Sequence, residues 1–379
     1  MLSFYLISAL CYFFLLWGMS RYWSKNVEEI SEGNLSKSVS LLISLRNESE
    51  NLPQLRAAIL RVYDSLREIL LVDDHSEDDT LLLLQGYFQN DPKIQVLSNP
   101  GFGKKSAINF AISRASGELL VTTDADCIWN PDWIEQLKRH FQSEDIQLVA
   151  GPVLSSPGKN LLERFQLLEW ASILLVSNFS FKIGKPLTCS AANLAFRKNA
   201  FIQVNGFQGN EENPSGDDEF LLKKMVREFG AGSVRYTCSG ESLVLTSPEK
   251  TWSSLVNQKV RWAGKWKSHS SGFHVFSSLL PVFFQLIWVF SFLLLSQGKA
   301  GILAFCVMWI FKILAERLSF DRILRSLEKP FPFSDLIATS FIHPIYLFAV
   351  AIRIVKGTYI WKGRLNGREE LKAEISGHD

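Results

Sequence analysis

The sequence predicts an α/β domain, a mostly parallel sheet with helices on both faces, set between membrane-spanning helices at both ends of the chain. Three observations carry that reading. Between Val39 and Thr123, short apolar runs alternate with stretches of helical periodicity, the pattern of strands buried on both faces and joined by crossover helices. Three of those runs end in polar or acidic groups, "RNE", "DD" and "DAD", at the edge where such sheets bind ligands. Charge-free apolar stretches lie on either side, at 3–19 and 276–296.

Residues 3–19, "SFYLISALCYFFLLWGM", have no Lys or Arg before them and no small-x-small cleavage site after them. They read as an anchor (residues 1–22) rather than a cleaved signal peptide. Arg21 and Lys25 follow directly, so positive-inside bias puts the next domain in the cytoplasm, at the inner membrane. "SEGNLSKS" (31–38) is a linker. Val39–Leu45 is the first strand, and Asn51–Tyr63 is a helix with Leu52, Leu55, Ile59 and Val62 at helical spacing. "EILLVDD" (68–74) is a second strand ending in acid; Asp78–Phe88 is helical, and "IQVLSN" (94–99) is a third strand. Lys104–Ser113 is a helix and Glu118–Thr123 a fourth strand. Leu161–Phe181 is an apolar helix that Glu163, Arg164 and Glu169 assign to the interface or core rather than to a span. Trp252–Lys267 is a helix on which Gln258 and Arg261 share a face.

The globular domain thus covers 39–267. Beyond it, 276–296 is long enough to cross a hydrocarbon core of about 30 Å. Residues 300–314, interrupted by Lys312, and 336–352, carrying His343 and Pro344, are weaker candidates within a 274–356 transmembrane or interfacial region. A basic tail, 357–379, closes the chain. Three spans after a cytoplasmic domain would put that tail outside, against the charge bias; either a segment such as 300–314 is re-entrant or interfacial, or the tail is external.

Composition narrows the class. Lys+Arg 40 against Asp+Glu 38 leaves +2, which offers no basic field for nucleic acid. A mean hydropathy of +0.08, with 28 Phe and 11 Trp, is high for a soluble enzyme. The five cysteines are scattered without a CxxC pair, which suits a reducing compartment and no zinc site. A multi-pass transporter is disfavoured, because about half the chain is α/β sequence without an inverted repeat.

The chemistry gathers at the strand ends. In "VTTDADCIWNPD", Asp124 and Asp126 are either turn formers or a pair of carboxylates for a divalent cation; if the chain stays extended, they face the same way. Asp74 ends the second strand, with Arg46, Asn47 and Glu48 flanking the same edge. His75 follows it, at a cost if that position needs φ > 0. Lys104 follows Gly101 and Gly103, a flexible approach to phosphate; Lys105 is the alternative, one of the two being simply solvated. "SGDDEF" offers Asp217, Asp218 and Glu219 as base candidates, or as acids on a helix N-terminus.

At these residues the sequence resembles the family 2 glycosyltransferases, inverting enzymes that take sugars from nucleotide diphosphates. "SLRNESENL" (44–52) is similar to the family's first-strand motif and "LVDDHSEDDT" (71–80) to its V-D-D-G-S-x-D-x-T stretch, with His75 in place of Gly. "GKKSAINFAISRASGELLVTTDAD" (103–126) resembles G-K-x-x-A-x-N followed by A-x-G-E and D-x-D. "SAANLAFRKNAFIQVNGF" (190–207) looks like the acceptor segment, "GDDEFLL" (216–222) like E-D-x-x-L, and "QKVRW" (258–262) like Q-x-x-R-W. These six motifs stand in the family's order over about 39–267. "TYIWKGR" (358–364) resembles a W-x-G-R element of some membrane members, or is an interfacial Trp beside basic anchors.

The resemblance implies a glycosyltransferase A type fold and a nucleotide-diphosphate sugar donor, a UDP-sugar first among them, with Mg²⁺ or Mn²⁺ as cofactor. It makes Asp126 the more direct metal ligand, with Asp124 nearer the sugar or ribose. Asp74 would hold the nucleotide base and Glu48 would contact the nucleotide, with Lys104 and Asn109 also on the donor side. Asp218 is the base and Asp217 its runner-up. Gln258 and Arg261 would face the departing diphosphate, and Trp262 a sugar or lipid head. The partners implied are the donor, a lipid or lipid-linked glycan acceptor, and the membrane. A processive polysaccharide synthase and an inactive scaffold are the alternatives.

Overall fold

The structure, a computed structural model, describes residues 2–24, 37–210, 216–263, 272–356, 358–361 and 364–367. Most of the expected linker, the end of the helix expected to reach Lys267, and most of the basic tail lie outside these residues.

After α1 (Leu2–Arg21) the chain alternates strand and helix: β1 (Val39–Leu45), α2 (Leu52–Val62), β2 (Glu68–Asp73), α3 (Thr80–Phe88), β3 (Ile94–Ser98), α4 (Lys104–Arg114) and β4 (Leu119–Asp124). Then come β5 (Cys127–Trp129), α5 (Trp133–Arg139), β6 (Leu148–Ala150), β7 (Val153–Ser155) and the long α6 (Leu161–Lys182). They are followed by β8 (Leu194–Arg197), α7 (Lys198–Gln203), α8 (Asp217–Phe229), β9 (Val234–Tyr236) and β10 (Val244–Thr246). The remaining elements are α9 (Trp252–Ala263), α10 (Gly272–Phe290), α11 (Gly298–Ser326), α12 (Phe333–Lys356), β11 (Thr358–Trp361) and β12 (Arg364–Gly367).

These elements divide into two compact units. The first, Ser24–Ser156 with Val176–Ser247, holds a seven-stranded sheet ordered β3-β2-β1-β4-β8-β6-β9. β1 pairs in parallel with both β2 and β4, so Leu45, Asp73 and Asp124 finish at the same edge. β2 and β3 build outward on one side of β1 while β4 lies on its other side, and that reversal opens a crevice at the carboxyl ends. β2 is buried along its whole length and β1 nearly so, which is why both read as unbroken apolar runs. β8 runs antiparallel to β4 and β6, so the sheet is parallel on one side of β4 and mixed on the other. A small second sheet, β5-β10-β7, lies beyond Asp124. Strands β5 to β10 are only 3 or 4 residues long, too short to show a period in the sequence.

The second unit gathers Met1–Trp23, Pro157–Leu175 and Pro248–Asp379. Among the described residues, four of its helices are long and apolar enough to cross a membrane: Leu2–Arg21, Val275–Ser296, Gly298–Ser326 and Phe333–Ile354. The segment expected to break at Lys312 is instead a continuous helix of 29 residues. Lys312 is tolerated there because Glu316, one turn on, pairs with it, and that carboxylate also accepts from Tyr12 and Ser340. Leu162 and Phe165 of α6 pack with Leu255 and Val260 of α9 and Tyr346 and Val350 of α12 in one apolar cluster. α6, which carries Glu163, Arg164 and Glu169, is not among the described helices that are long and apolar enough to cross a membrane. Part of the expected tail falls within the described residues: β11 and β12 pair antiparallel, with Trp361 opposite Arg364.

Candidate functional site

The loops after β1 and β2 are tied to each other. Buried Arg46 donates to the carbonyls of Asp74 (2.9 Å) and His75 (2.7 Å) and to Glu77 Oε1 (2.8 Å). The Asn47 N–H donates to Ser76 Oγ (3.0 Å), that of Glu48 to Thr80 Oγ1 (2.8 Å) and that of Ser49 to Asp78 Oδ2 (3.1 Å). The Glu48 carboxylate accepts from Asn51 Nδ2 at 2.7 Å. Asp74 is buried, and its Oδ1 accepts from Asn99 Nδ2 (2.7 Å) and the Gly103 N–H (2.9 Å). Asp74, the residue directly after β2, therefore also holds the glycine loop that leads to Lys104. His75 has φ +58, the left-handed conformation in which a residue with a Cβ is strained. Its ring stacks on Phe102 of the glycine loop, with centroids 4.4 Å apart and an interplanar angle of 17°.

Lys104 opens α4 directly after Gly103 at φ +86. Its ammonium pairs with Asp124 at the end of β4. Burial works against that charge, but Asp124, Asp217 and Asp218 outweigh it and hold the lysine pKa above its ordinary value. Lys104, Asp217 and Asp218 also line one cavity, with Thr122, Ala191 and Leu221 among its walls. Lys105 is not simply solvated: it donates to the carbonyl of Asn210.

The acids on α8 stand at a helix start, where carboxylates favour the positive end of the helix dipole. Gly216, at φ +87, turns the chain so that Asp217, Asp218 and Glu219 form the first turn. Asp218 Oδ2 accepts the Ala191 N–H at 3.2 Å and Oδ1 the Glu219 N–H at 2.8 Å, leaving the carboxylate fixed and partly accessible.

The stretch 124–126 is not extended. β4 stops at Asp124, Ala125 and Asp126 form a turn, and β5 begins at Cys127. The expectation that both carboxylates face the same way is therefore replaced by two separately held groups. Asp124 meets Lys104, while Asp126 Oδ2 accepts from Thr246 Oγ1 at 2.8 Å. Among the described residues no group of three or more His, Cys, Asp or Glu gathers to hold a metal. The donor set fits a cation that takes one or two carboxylates and completes its shell with phosphate oxygens and water, and does not fit a protein-only cage. Burial, followed by the charges of Asp126 and Asp124, pushes the Cys127 thiol well above its ordinary pKa.

Gln258, Arg261 and Trp262 belong to the other unit, on α9. Gln258 Nε2 donates to Glu249 Oε1 at 2.9 Å, and the Trp262 ring stands edge-on to Trp170 at 5.4 Å. Asn109 is exposed on α4 and is not among the residues that line the cavity. Sequence reasoning missed Asn99, Thr246 and Glu249. Asn99 sits in "SNPGFGK", where turn chemistry offers a signal; nothing in the sequence points from Thr246 to Asp126.

The switch point of the mostly parallel sheet, with acids at three strand ends and a lysine among them, is where open α/β sheets take their ligands. Residues 40–204 match the profile of Glycosyl transferase family 2. This chain contains a family 2 glycosyltransferase domain. Poly-beta-1,6-N-acetyl-D-glucosamine synthase of Staphylococcus aureus (strain COL) is 25% identical over 243 residues, 63% of this chain and 55% of that protein. The enzyme of that name from Staphylococcus epidermidis (strain ATCC 35984) is 24% identical over 268 residues, 69% of this chain and 61% of the relative. The matches thus span little more than half the length of these curated relatives. Among solved structures, the mannosyltransferase PcManGT from Pyrobaculum calidifontis, in complex with GDP-Man and Mn²⁺, superposes with a TM-score of 0.58 at 15% identity, covering 94% of this chain and 99% of that one. That likeness shows the fold, of the glycosyltransferase A kind.

Proposed function

We propose that the protein is a membrane-bound inverting glycosyltransferase, moving a sugar from a nucleotide-diphosphate sugar to a lipid or lipid-linked acceptor. The observation that carries this is the meeting of Lys104 and Asp124 with Asp217 and Asp218, at the edge where Asp74 and Glu48 also end their strands' loops. Asp74 and Glu48 bind the nucleoside, and Lys104 screens the diphosphate. Asp218 takes the proton from the acceptor hydroxyl as its oxygen attacks the anomeric carbon; Asp217 is the second choice for that role. The glycosidic oxygen leaves with the diphosphate on the opposite face, inverting the centre. Asp126, with Asp124 beside it, would hold Mg²⁺ or Mn²⁺, which when bound supplies charge neutralisation to the leaving diphosphate. Asn109 is assigned to the donor side, Gln258 and Arg261 to the leaving diphosphate and Trp262 to the acceptor. The catalytic domain is assigned to the cytoplasmic side of the membrane, with UDP-sugars as the first donors to try.

The staphylococcal relatives, named as polysaccharide synthases, favour a second reading, processive synthesis. The four candidate spans among the described residues offer little material for a polymer channel, so single transfer to a lipid is preferred. The test is to supply membranes with a panel of labelled nucleotide sugars and partition the product. Label in small, solvent-extractable glycolipid supports single transfer; label in extraction-resistant, high-mass polymer supports the synthase; no transfer from any donor overturns both.

A further inference from the structure

Lys259 stands inside the Q-x-x-R-W sequence but outside its named positions. It is 9% exposed, although it carries an ammonium. Its Nζ lies 3.9 Å from the centroid of the Trp262 ring, one turn further along α9, and 5.4 Å from that of Trp170. Glu169, next to Trp170 on α6 and 7% exposed, places Oε2 at 3.2 Å from the same Nζ. The other carboxylate oxygen of Glu169 accepts from the hydroxyl of Tyr346, on α12, at 2.9 Å. A continuous set of contacts thus runs from a candidate membrane span through Glu169 and Lys259 to the face of Trp262.

A buried ammonium is costly to keep, and a hydrophobic residue of similar volume often serves stability as well or better. Burial, partly offset by Glu169, lowers the Lys259 pKa from its ordinary value. What the ammonium adds that an aliphatic side chain cannot is attraction to a ring face, which strengthens when water is excluded. With Trp170 edge-on to Trp262, that attraction leaves the indole one preferred plane.

We infer that Lys259 is a positioning residue that fixes the ring plane of Trp262, and that Glu169 and Tyr346 couple this plane to helix α12. The inference rests on the reading of Trp262 as the acceptor's contact, because only then does the ring plane matter for transfer.

The test uses the full chain labelled with 5-fluorotryptophan, with the Trp262 ¹⁹F resonance assigned by its loss in Trp262→Phe. Lys259→Met should move that resonance by more than its linewidth, and Lys259→Arg, which keeps a cation over the ring, should return it most of the way. In native membranes, Lys259→Met should lower transfer to the endogenous acceptor roughly 5- to 30-fold, the size of one desolvated cation–π contact. It should add nothing further in a Trp262→Ala background. An unmoved resonance in Lys259→Met, or an equal further loss in the Trp262→Ala background, overturns the inference. If the resonance moves but Trp262→Ala transfers like wild type, the positioning stands and the acceptor role of Trp262 falls. Should Lys259→Met fail to fold, Tyr346→Phe keeps both charges and must move the resonance the same way; no movement there overturns the coupling to α12.

Discussion

Thr246 donates its hydroxyl to Asp126 Oδ2 at 2.8 Å, although the two residues are 120 apart in the chain. The contact exists because β10 pairs antiparallel with β5, setting Thr246 opposite Cys127, the residue after Asp126. The D-x-D turn is thus oriented by a strand from the far end of its unit. Ser247, next along, donates to the Asp126 carbonyl at 3.4 Å.

If Asp126 is a metal ligand, Thr246 is its outer support, and outer supports of metal ligands are typically worth 10- to 100-fold in affinity. Thr246→Val is expected to weaken Mn²⁺-dependent UDP binding by about that factor, and Asp126→Ala to abolish it. Chelator should mimic the Asp126 variant in wild type. Calorimetric UDP binding that is unchanged by chelator would return the acids to a purely structural turn.

Asp218→Asn is expected to lower the transfer rate roughly 10²- to 10⁴-fold, the range for loss of a general base, with donor binding near wild type. The amide has one accepting oxygen where the carboxylate has two, so it keeps the bond from the Ala191 or the Glu219 N–H but not both. Full turnover in Asp218→Asn together with a dead Asp217→Asn would move the base to the neighbouring residue.

Much of this site was legible in the sequence, for a physical reason. β1, β2 and β4 are buried parallel strands, so their apolar runs and terminal acids stand out without any knowledge of pairing. The left-handed position of His75 was also readable, because the family pattern has Gly there. What could not be read were interactions closed through space. The turn at Ala125 breaks a run that looks extended, β10 contributes only 3 residues, and the Lys259–Glu169 pair joins two helices with no shared motif. Lys312 misled because one charge in an apolar run suggests an interruption, whereas its partner lies four residues on, beyond the end of that run.

His75 balances opposed terms. Its left-handed backbone costs about 1 kcal/mol, which Gly would relieve. Gly adds about 0.5–1 kcal/mol of chain entropy and forfeits the stack on Phe102, worth about 0.5–1.5 kcal/mol. His75→Gly should therefore be slightly less stable than wild type, and His75→Val, β-branched and without the stack, clearly worse. Denaturation midpoints in detergent check the order; a valine variant as stable as wild type contradicts the strained conformation.

Asp78 links the loops after β1 and β2 and gives them a pH dependence. Burial acts to raise its pKa, but hydrogen bonds from Thr80 and Ser49 outweigh it and hold the carboxyl at about 2 against an ordinary 3.8. A depressed carboxylate stabilises the fold above its unfolded value and loses that contribution as pH falls through the folded one. The stability gap between wild type and Asp78→Ala should be constant above pH 5 and shrink between about 4 and 2. A gap that persists unchanged down to pH 2 would mean the carboxylate's charge plays no part.

Within the helices long enough to span a membrane, Lys312 is fully buried and Glu316 is 5% exposed. Tyr12 donates to Glu316 Oε1 at 2.9 Å and Ser340 to its Oε2, so one carboxylate joins α1, α11 and α12. The Lys312 ammonium also lies 5.9 Å and 5.8 Å from the rings of Trp288 and Trp309. Removing Glu316 alone leaves an ammonium with ring faces but no counter-ion, and breaking a buried pair in this way costs about 3–5 kcal/mol. Replacing both charges by Leu removes the uncompensated ion along with the pair and is often neutral or stabilising. Glu316→Leu should accordingly lower the detergent unfolding midpoint far more than the double variant Lys312→Leu/Glu316→Leu. The double variant still loses the Tyr12 and Ser340 contacts, so α1 should be more readily released from α11, read as weaker disulfide trapping between cysteines placed on the two helices. A Glu316→Leu protein as stable as wild type would show that the cluster does not hold these helices together.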